Sequence, residues 1–106
     1  MNPRLFIGPM SKEIVDAVID YPESLGLIPS RRQVDHESGY VNGWVTETFC
    51  EYVRSKTDNV LLVRDHCGPN QGYHIDNGIE SFLIDCQHFD VIHIDPFKRF
   101  RAIKDA

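Results

Sequence analysis

The sequence predicts an α/β fold built on a parallel sheet. Two observations carry the prediction. Four short apolar runs alternate with segments of helical periodicity, and each run is continuous rather than alternately apolar and polar. Continuous runs mark strands covered on both faces, which is the condition of parallel sheets.

The elements follow in order. Leu5-Phe6-Ile7 is the first strand. After Gly8-Pro9-Met10, Ser11 is placed as the N-cap of a helix in which Ile14, Val15, Val18, Ile19 and Tyr21 recur at helical spacing. Pro22 closes it. Leu25-Gly26-Leu27-Ile28 is the second strand, ended by Pro29. A polar stretch from Ser30 to Val45 leads to a second helix, expected to be capped by Thr46 and to bury Phe49, Cys50 and Val53. Val60-Leu61-Leu62-Val63 is the third strand, followed by a loop from Arg64 to Asp76. Asn77 with Glu80 reads as a capping box for a third helix with an apolar face of Ile79, Phe82, Leu83 and Cys86. Val91-Ile92-His93-Ile94 is the fourth strand. Asp95 and Pro96 then read as N-cap and N1 of a last helix carrying Phe97, Phe100 and Ile103.

With right-handed crossovers, a β-α-β-α-β-α-β-α order fits two architectures: half of a (β/α)8 TIM-type barrel, or a flavodoxin-like open sheet. A whole barrel needs about 250 residues, so 106 residues supply one domain, 1–106, equivalent to the first four βα units.

Composition excludes several classes. Apolar residues at 42 % and charged residues at 25 % are ordinary for a globular domain, which excludes collagen, coiled coil and disordered tail. No apolar run approaches the ~20 residues of a membrane span, and Met1-Asn2-Pro3-Arg4 is no signal peptide, so a cytoplasmic protein without a membrane partner is expected. Cys50, Cys67 and Cys86 are odd in number and form no CxxC pair, which favours reduced thiols; Cys50 and Cys86 are expected in the core. Residues 98–106 hold four cations against Asp105, a net +3; the chain carries −5, so the remainder carries −8. An acidic body of that kind does not read as a nucleic-acid binder.

Ligands of parallel βα folds bind at the carboxyl ends of the strands. There the loops after strands two and three are long, whereas such loops normally run about 2–6 residues. The first contains Arg31-Arg32, a pair suited to clamping a phosphate or carboxylate, and Trp44, expected to plug the end of the sheet. The second opens with Asp65-His66, a carboxylate beside an imidazole that together suit metal binding and proton transfer. Strand alternation turns successive side chains to opposite faces, so both reach one site only if His66 lies past the regular strand. His93 and Asp95 share a face on the neighbouring strand, where His93 can meet His66. Asp95 reads equally as the helix cap. His74 and Asp76 form a further H-x-D pair in a loop without fixed geometry. Ser11, at the first helix N-terminus, offers an anion site in the flavodoxin-like alternative, but Gly8-Pro9 makes a poor phosphate cradle.

Gln33-Val34, Gly39-Tyr40, Gly43, Thr46 and Phe49, then Asp65-His66-x-Gly68-Pro69-Asn70, then Ile92-His93-Ile94-Asp95, run in an order that resembles the class II D-tagatose-bisphosphate aldolase accessory (Z-type, non-catalytic) subunits. The resemblance touches most of residues 25–97, and Asp65 to Asn70 is its most specific part. It implies a metal-dependent (β/α)8 barrel of carbohydrate metabolism, aldolase-like and, if active, a lyase. Asp65 would be the proton donor; His66 and His93 would hold a divalent metal, zinc in that family. Gln33, Asn70 and Asp95 would bind a sugar phosphate, and Arg31 and Arg32, which the family does not have, would hold that or another anionic substrate. The chain departs from the family at Ser30-Arg31-Arg32, at Cys67 and at Pro96-Phe97, which points to a substrate other than tagatose bisphosphate. The remaining histidine ligands of such barrels belong to the second half. The chain therefore reads as an incomplete barrel protein with little turnover of its own, or as a half-barrel that docks on a partner subunit or self-associates.

Overall fold

The computed structural model describes residues 3–96. In chain order they form β1 (Phe6–Ile7), α1 (Lys12–Asp20), β2 (Gly26–Leu27), α2 (Thr46–Lys56), β3 (Leu61–Cys67), α3 (Ile79–His88) and β4 (Val91–Ile94). The last helix expected from Phe97, Phe100 and Ile103 lies outside the described residues.

The sheet order is β1-β2-β3-β4, and every pair is parallel. Each strand lies beside its successor, with no reversal point such as the flavodoxin-like order requires. Leu27 and Leu62 are register partners, and both sink into one cluster with Val15 and Val18 of α1 and Phe49, Cys50 and Val53 of α2. Arg64, two residues beyond Leu62, points the same way and meets Asp85 of α3. All three helices therefore cover one face of the sheet. Phe6, Leu61, Val63, Val91 and His93 alternate toward the other face, which no described helix covers.

Several local expectations hold. Ser11 caps α1, its Oγ accepting from the Ile14 N–H at 3.3 Å, and Tyr21 ends the helix before Pro22. Trp44 is buried, and the rings it packs against are Phe49 and Tyr52 of α2. Others are corrected. Val45, not Thr46, is the N-cap of α2; Thr48 Oγ1 accepts from the Val45 N–H, and Thr46 is buried with its hydroxyl toward Arg64. Gly78 caps α3 with φ +76°, and Asn77 Oδ1 accepts from the Ile79 N–H, so no Asn77–Glu80 box forms. A Cβ on Gly78 would fall 2.5 Å from the Gly68 carbonyl carbon, which reserves the position for glycine.

The largest correction concerns the face of α3. Ile79, Leu83 and Cys86 are exposed, while Ser81 and Asp85 are buried. The cause lies on β3. Arg64 is fully buried and donates to Asp85 through Nε (2.8 Å) and Nη2 (3.0 Å), and to the Pro29 carbonyl (3.2 Å). Its guanidinium also lies 4.6 Å from the Phe89 ring centre. Leaving one member of a buried ion pair alone costs about 3–5 kcal/mol, whereas exposing one aliphatic side chain forfeits about 1.5–3 kcal/mol. Ile79 and Leu83 are only 57 % and 56 % exposed, so the two together forfeit about 2–3 kcal/mol, less than an unpaired Arg64 would cost.

Candidate functional site

The site lies at the carboxyl ends of β3 and β4, on the sheet face away from the helices. Arg64 faces the helices, so Asp65 faces the other way. Simple alternation would send His66 back. Instead His66 adopts φ +47°, and the register runs from Arg64↔Ile92 to Cys67↔Ile94, three steps on β3 against two on β4. This one-residue bulge keeps His66 beside Asp65. A left-handed backbone at a non-glycine residue costs about 1–3 kcal/mol and tends to occur where a side chain is held for a task. Opposite the bulge, a Cβ on Gly68 would fall 1.9 Å from the Asp95 carbonyl oxygen; glycine lets the strand ends approach.

Three donors converge there. Asp65 Oδ1 lies 3.5 Å from His66 Nε2 and 3.8 Å from His93 Nδ1, and one donor atom from each residue falls within 4.8 Å of the others. The imidazole rings are 4.9 Å apart, centre to centre. Both histidines are about half exposed, at 49 % and 55 %, so His93 is no core histidine. Asp95 Oδ2 sits 2.9 Å from His66 Nδ1, and Gln71 Nε2 donates to the same oxygen at 3.3 Å. A carboxylate on one imidazole nitrogen fixes the tautomer and leaves the other nitrogen free to coordinate. Asp95 thus orients His66.

One carboxylate and two imidazoles form a donor set suited to zinc or a similar divalent ion. Tetrahedral zinc with bonds of about 2.0–2.1 Å spaces its ligands about 3.3 Å apart, near the two Asp65 distances. The residues fit the ion with small side-chain adjustments, and exposure leaves room for water or substrate in the remaining position.

The other residues expected at the site are placed elsewhere or hold structure. Arg31 is buried. It donates to Asp35 (2.8 Å), to the Gly68 carbonyl (2.8 Å) and, bidentately, to Asp76. That fork ties the β2–α2 loop to the β3–α3 loop and is occupied by the protein itself. Asp35 also accepts from Ser81 Oγ at 2.7 Å. Burial pushes the Asp35 carboxyl up, but Ser81, the His36 N–H and Arg31 outweigh it and hold it below the ordinary range. Asp76 is likewise held low, chiefly by Arg31. Arg32 is exposed, with its guanidinium over the Tyr73 ring. Gln33 accepts from the Ser30 N–H and donates to Tyr40 Oη. Asn70, at φ +60°, exchanges two hydrogen bonds with Asp76 and closes its own loop. His74 and Asp76 line a cleft of about 380 Å³ with Arg31, His36, Tyr40 and Tyr73, apart from the Asp65 cluster.

Sequence reasoning missed the buried pairs Arg64–Asp85 and Arg31–Asp35. The i,i+4 spacing of Arg31 and Asp35 was a visible signal; nothing local links Arg64 with Asp85. The thiols divide as well. Cys50 and Cys67 are buried, and burial pushes both up to about 12. Cys86 is exposed, correcting its expected place in the core.

No family model, curated protein or solved structure matches this chain. Among the described residues no helix is long and apolar enough to cross a membrane.

Proposed function

We propose that this chain is half of a (β/α)8 barrel of the class II aldolase kind, which binds a divalent metal at its mouth and presents it to a sugar phosphate or similar anionic ligand. The observation that carries the reading is the bulge at His66. It places Asp65, His66 and His93 around one point at the carboxyl edge of a parallel sheet, with Asp95 behind His66. The sequential strand order with helices on one face supports the half-barrel part. The resemblance of residues 65–70 and 92–95 to the aldolase accessory subunits supports the substrate class.

The Asp65 distances favour a role as third ligand over that of a separate proton donor. His66 and His93 supply the imidazoles, and Asp95 with Gln71 keeps His66 oriented. When bound, the metal supplies Lewis acidity toward a ligand oxygen. Three protein ligands at an exposed rim bind and present a substrate but exclude little water, so the lone chain binds without appreciable aldol cleavage. Isothermal titration with zinc tests the reading. One equivalent per chain is expected, with affinity lowered more than tenfold in His66→Ala and in His93→Ala. Affinity unchanged from wild type in both variants overturns the metal site. A retro-aldol assay with ketose bisphosphates and zinc tests the second part; robust turnover by the lone chain contradicts a binding role.

A further inference from the structure

The exposed apolar side chains are not spread evenly. Leu5, Phe6, Met10, Ile14 and Tyr21 lie on the β1–α1 flank, and Ile79, Leu83, Val91 and Ile94 on the α3–β4 flank. Between them, β2, α2 and β3 contribute no exposed large apolar side chain; the three others exposed, Tyr40, Tyr73 and Ile75, sit on the rim loops. Both flanks end in a strand whose outer edge has no strand partner among the described residues. On the sheet face opposite the helices Phe6 and Val91 are exposed and Leu61 is partly so, while Val63 between them is buried; among the described residues no helix packs on this face. Parallel sheets are stable only with both faces covered, and open edges invite pairing.

We infer that a second copy of this chain covers this face, with β4 of each copy pairing in parallel with β1 of the other. A twofold axis along the barrel axis preserves strand direction and generates two identical β4–β1 junctions. The four strands of each copy then close into eight, the number whose interior side chains can fill. The available area suits the pairing. A fully buried aliphatic side chain corresponds to roughly 60–120 Å² at 25 cal/mol/Å², and these nine are about half exposed. Over two copies that is about 550–1,100 Å² of apolar surface. At the ~57 % apolar share of ordinary interfaces it corresponds to about 1,000–1,900 Å² in all, the size of a stable complex. A single four-stranded partner of different sequence would need the same two edges at the same spacing; a second copy has them by construction.

The inference rests on the half-barrel reading and not on the metal, so size and metal binding are measured separately. Native mass spectrometry and sedimentation of the full chain, with and without zinc, are expected to show a dimer. Leu5→Lys and Val91→Lys place a charge at either edge of the junction, and each is expected to raise the dimer dissociation constant at least tenfold with the far-ultraviolet circular dichroism unchanged. If either variant fails to fold, protection of the β1 and β4 amides in hydrogen exchange, measured on the wild type above and below the dissociation constant, serves instead. It is expected to rise with association. A monomer at all concentrations overturns the inference, and if that monomer binds zinc the metal site stands without it. A dimer indifferent to both lysines, or with β1 and β4 exchanging fast, overturns the barrel pairing in favour of another interface.

Discussion

The carboxyl end of the sheet holds two clusters of similar residues in different conditions. Over β2 and β3, Arg31, Asp35 and Asp76 form a closed network, and beneath it Arg64 and Asp85 form another. Their carboxylates and guanidinium groups are spent on one another. Over β3 and β4, Asp65 is about a third exposed and His66 and His93 about half, with a donor of each near a common point and Asp95 behind His66. Charge alone separates neither cluster from the other. Where each fork is saturated by internal partners, the group holds the fold; where the orienting bonds come from behind and the front is open, the group can meet a ligand. Doublets of arginine and Asp-His look equally chemical in sequence, and only the accounting of their hydrogen bonds sorts them.

The contrast predicts a ranked series of effects. Asp85→Ala leaves Arg64 buried and unpaired, and is expected to cost about 3–5 kcal/mol in urea unfolding. A loss below 1 kcal/mol would remove the buried cluster from the structural class. Arg31→Met is expected to cost about 2–4 kcal/mol, because Asp35 then lacks its cation and the two rim loops lose their tie, while the folded fraction keeps its zinc affinity. Reduced affinity without reduced stability would move Arg31 to the functional side. Asp95→Ala is expected to weaken zinc binding about 10–100-fold, the usual effect of removing the partner of a ligating histidine, with metal-free stability changed by less than about 1 kcal/mol.

The pH dependence sharpens the same division. Asp35 and Asp76 have folded-state values below those of the unfolded chain. Their contribution is therefore fully present above about pH 4, the unfolded value, and is lost as pH falls through the lower folded values. Asp85 runs the other way: burial pushes its carboxyl up against the pull of Arg64, so it contributes below about pH 4 and opposes folding as pH rises. Unfolding free energy measured from pH 6 to pH 3 in wild type and Asp76→Asn is expected to fall less steeply in the variant. Identical slopes would show that the Arg31–Asp76 contact does not persist in solution. The smallest effect concerns the thiols. At pH 8 a disulfide reagent is expected to modify Cys86 readily and to leave Cys50 and Cys67 protonated and covered.

Much of the frame was legible because it depends on local signals. Val91–Ile94 reads as a strand from its continuous apolar run, and Ser11 caps α1 as its position before the helical period implies. The third strand was legible only in its apolar part. It continues through Arg64 to Cys67, because Arg64 finds a buried partner and the bulge accommodates His66. The face of α3 was not legible at all. Its period is strong, but the rotation is set by a charge on another element 21 residues away. At the site, the Asp65-His66 doublet and the His93-Asp95 pair were visible as residue types. Alternation alone separates the doublet, and a single left-handed backbone angle reunites it. By contrast Arg31, Gln33 and Asn70 looked like ligand contacts because sequence does not reveal which donors are already committed.

The most direct measurement is the nitrogen-15 NMR spectrum of the five imidazoles during titration with zinc. His66 is expected to be metallated at Nε2 with its Nδ1 proton retained toward Asp95, His93 to be metallated at Nδ1, and His36, His74 and His88 to be unmoved. Zinc shifts centred on His36 and His74, with His66 and His93 unchanged, would contradict this assignment.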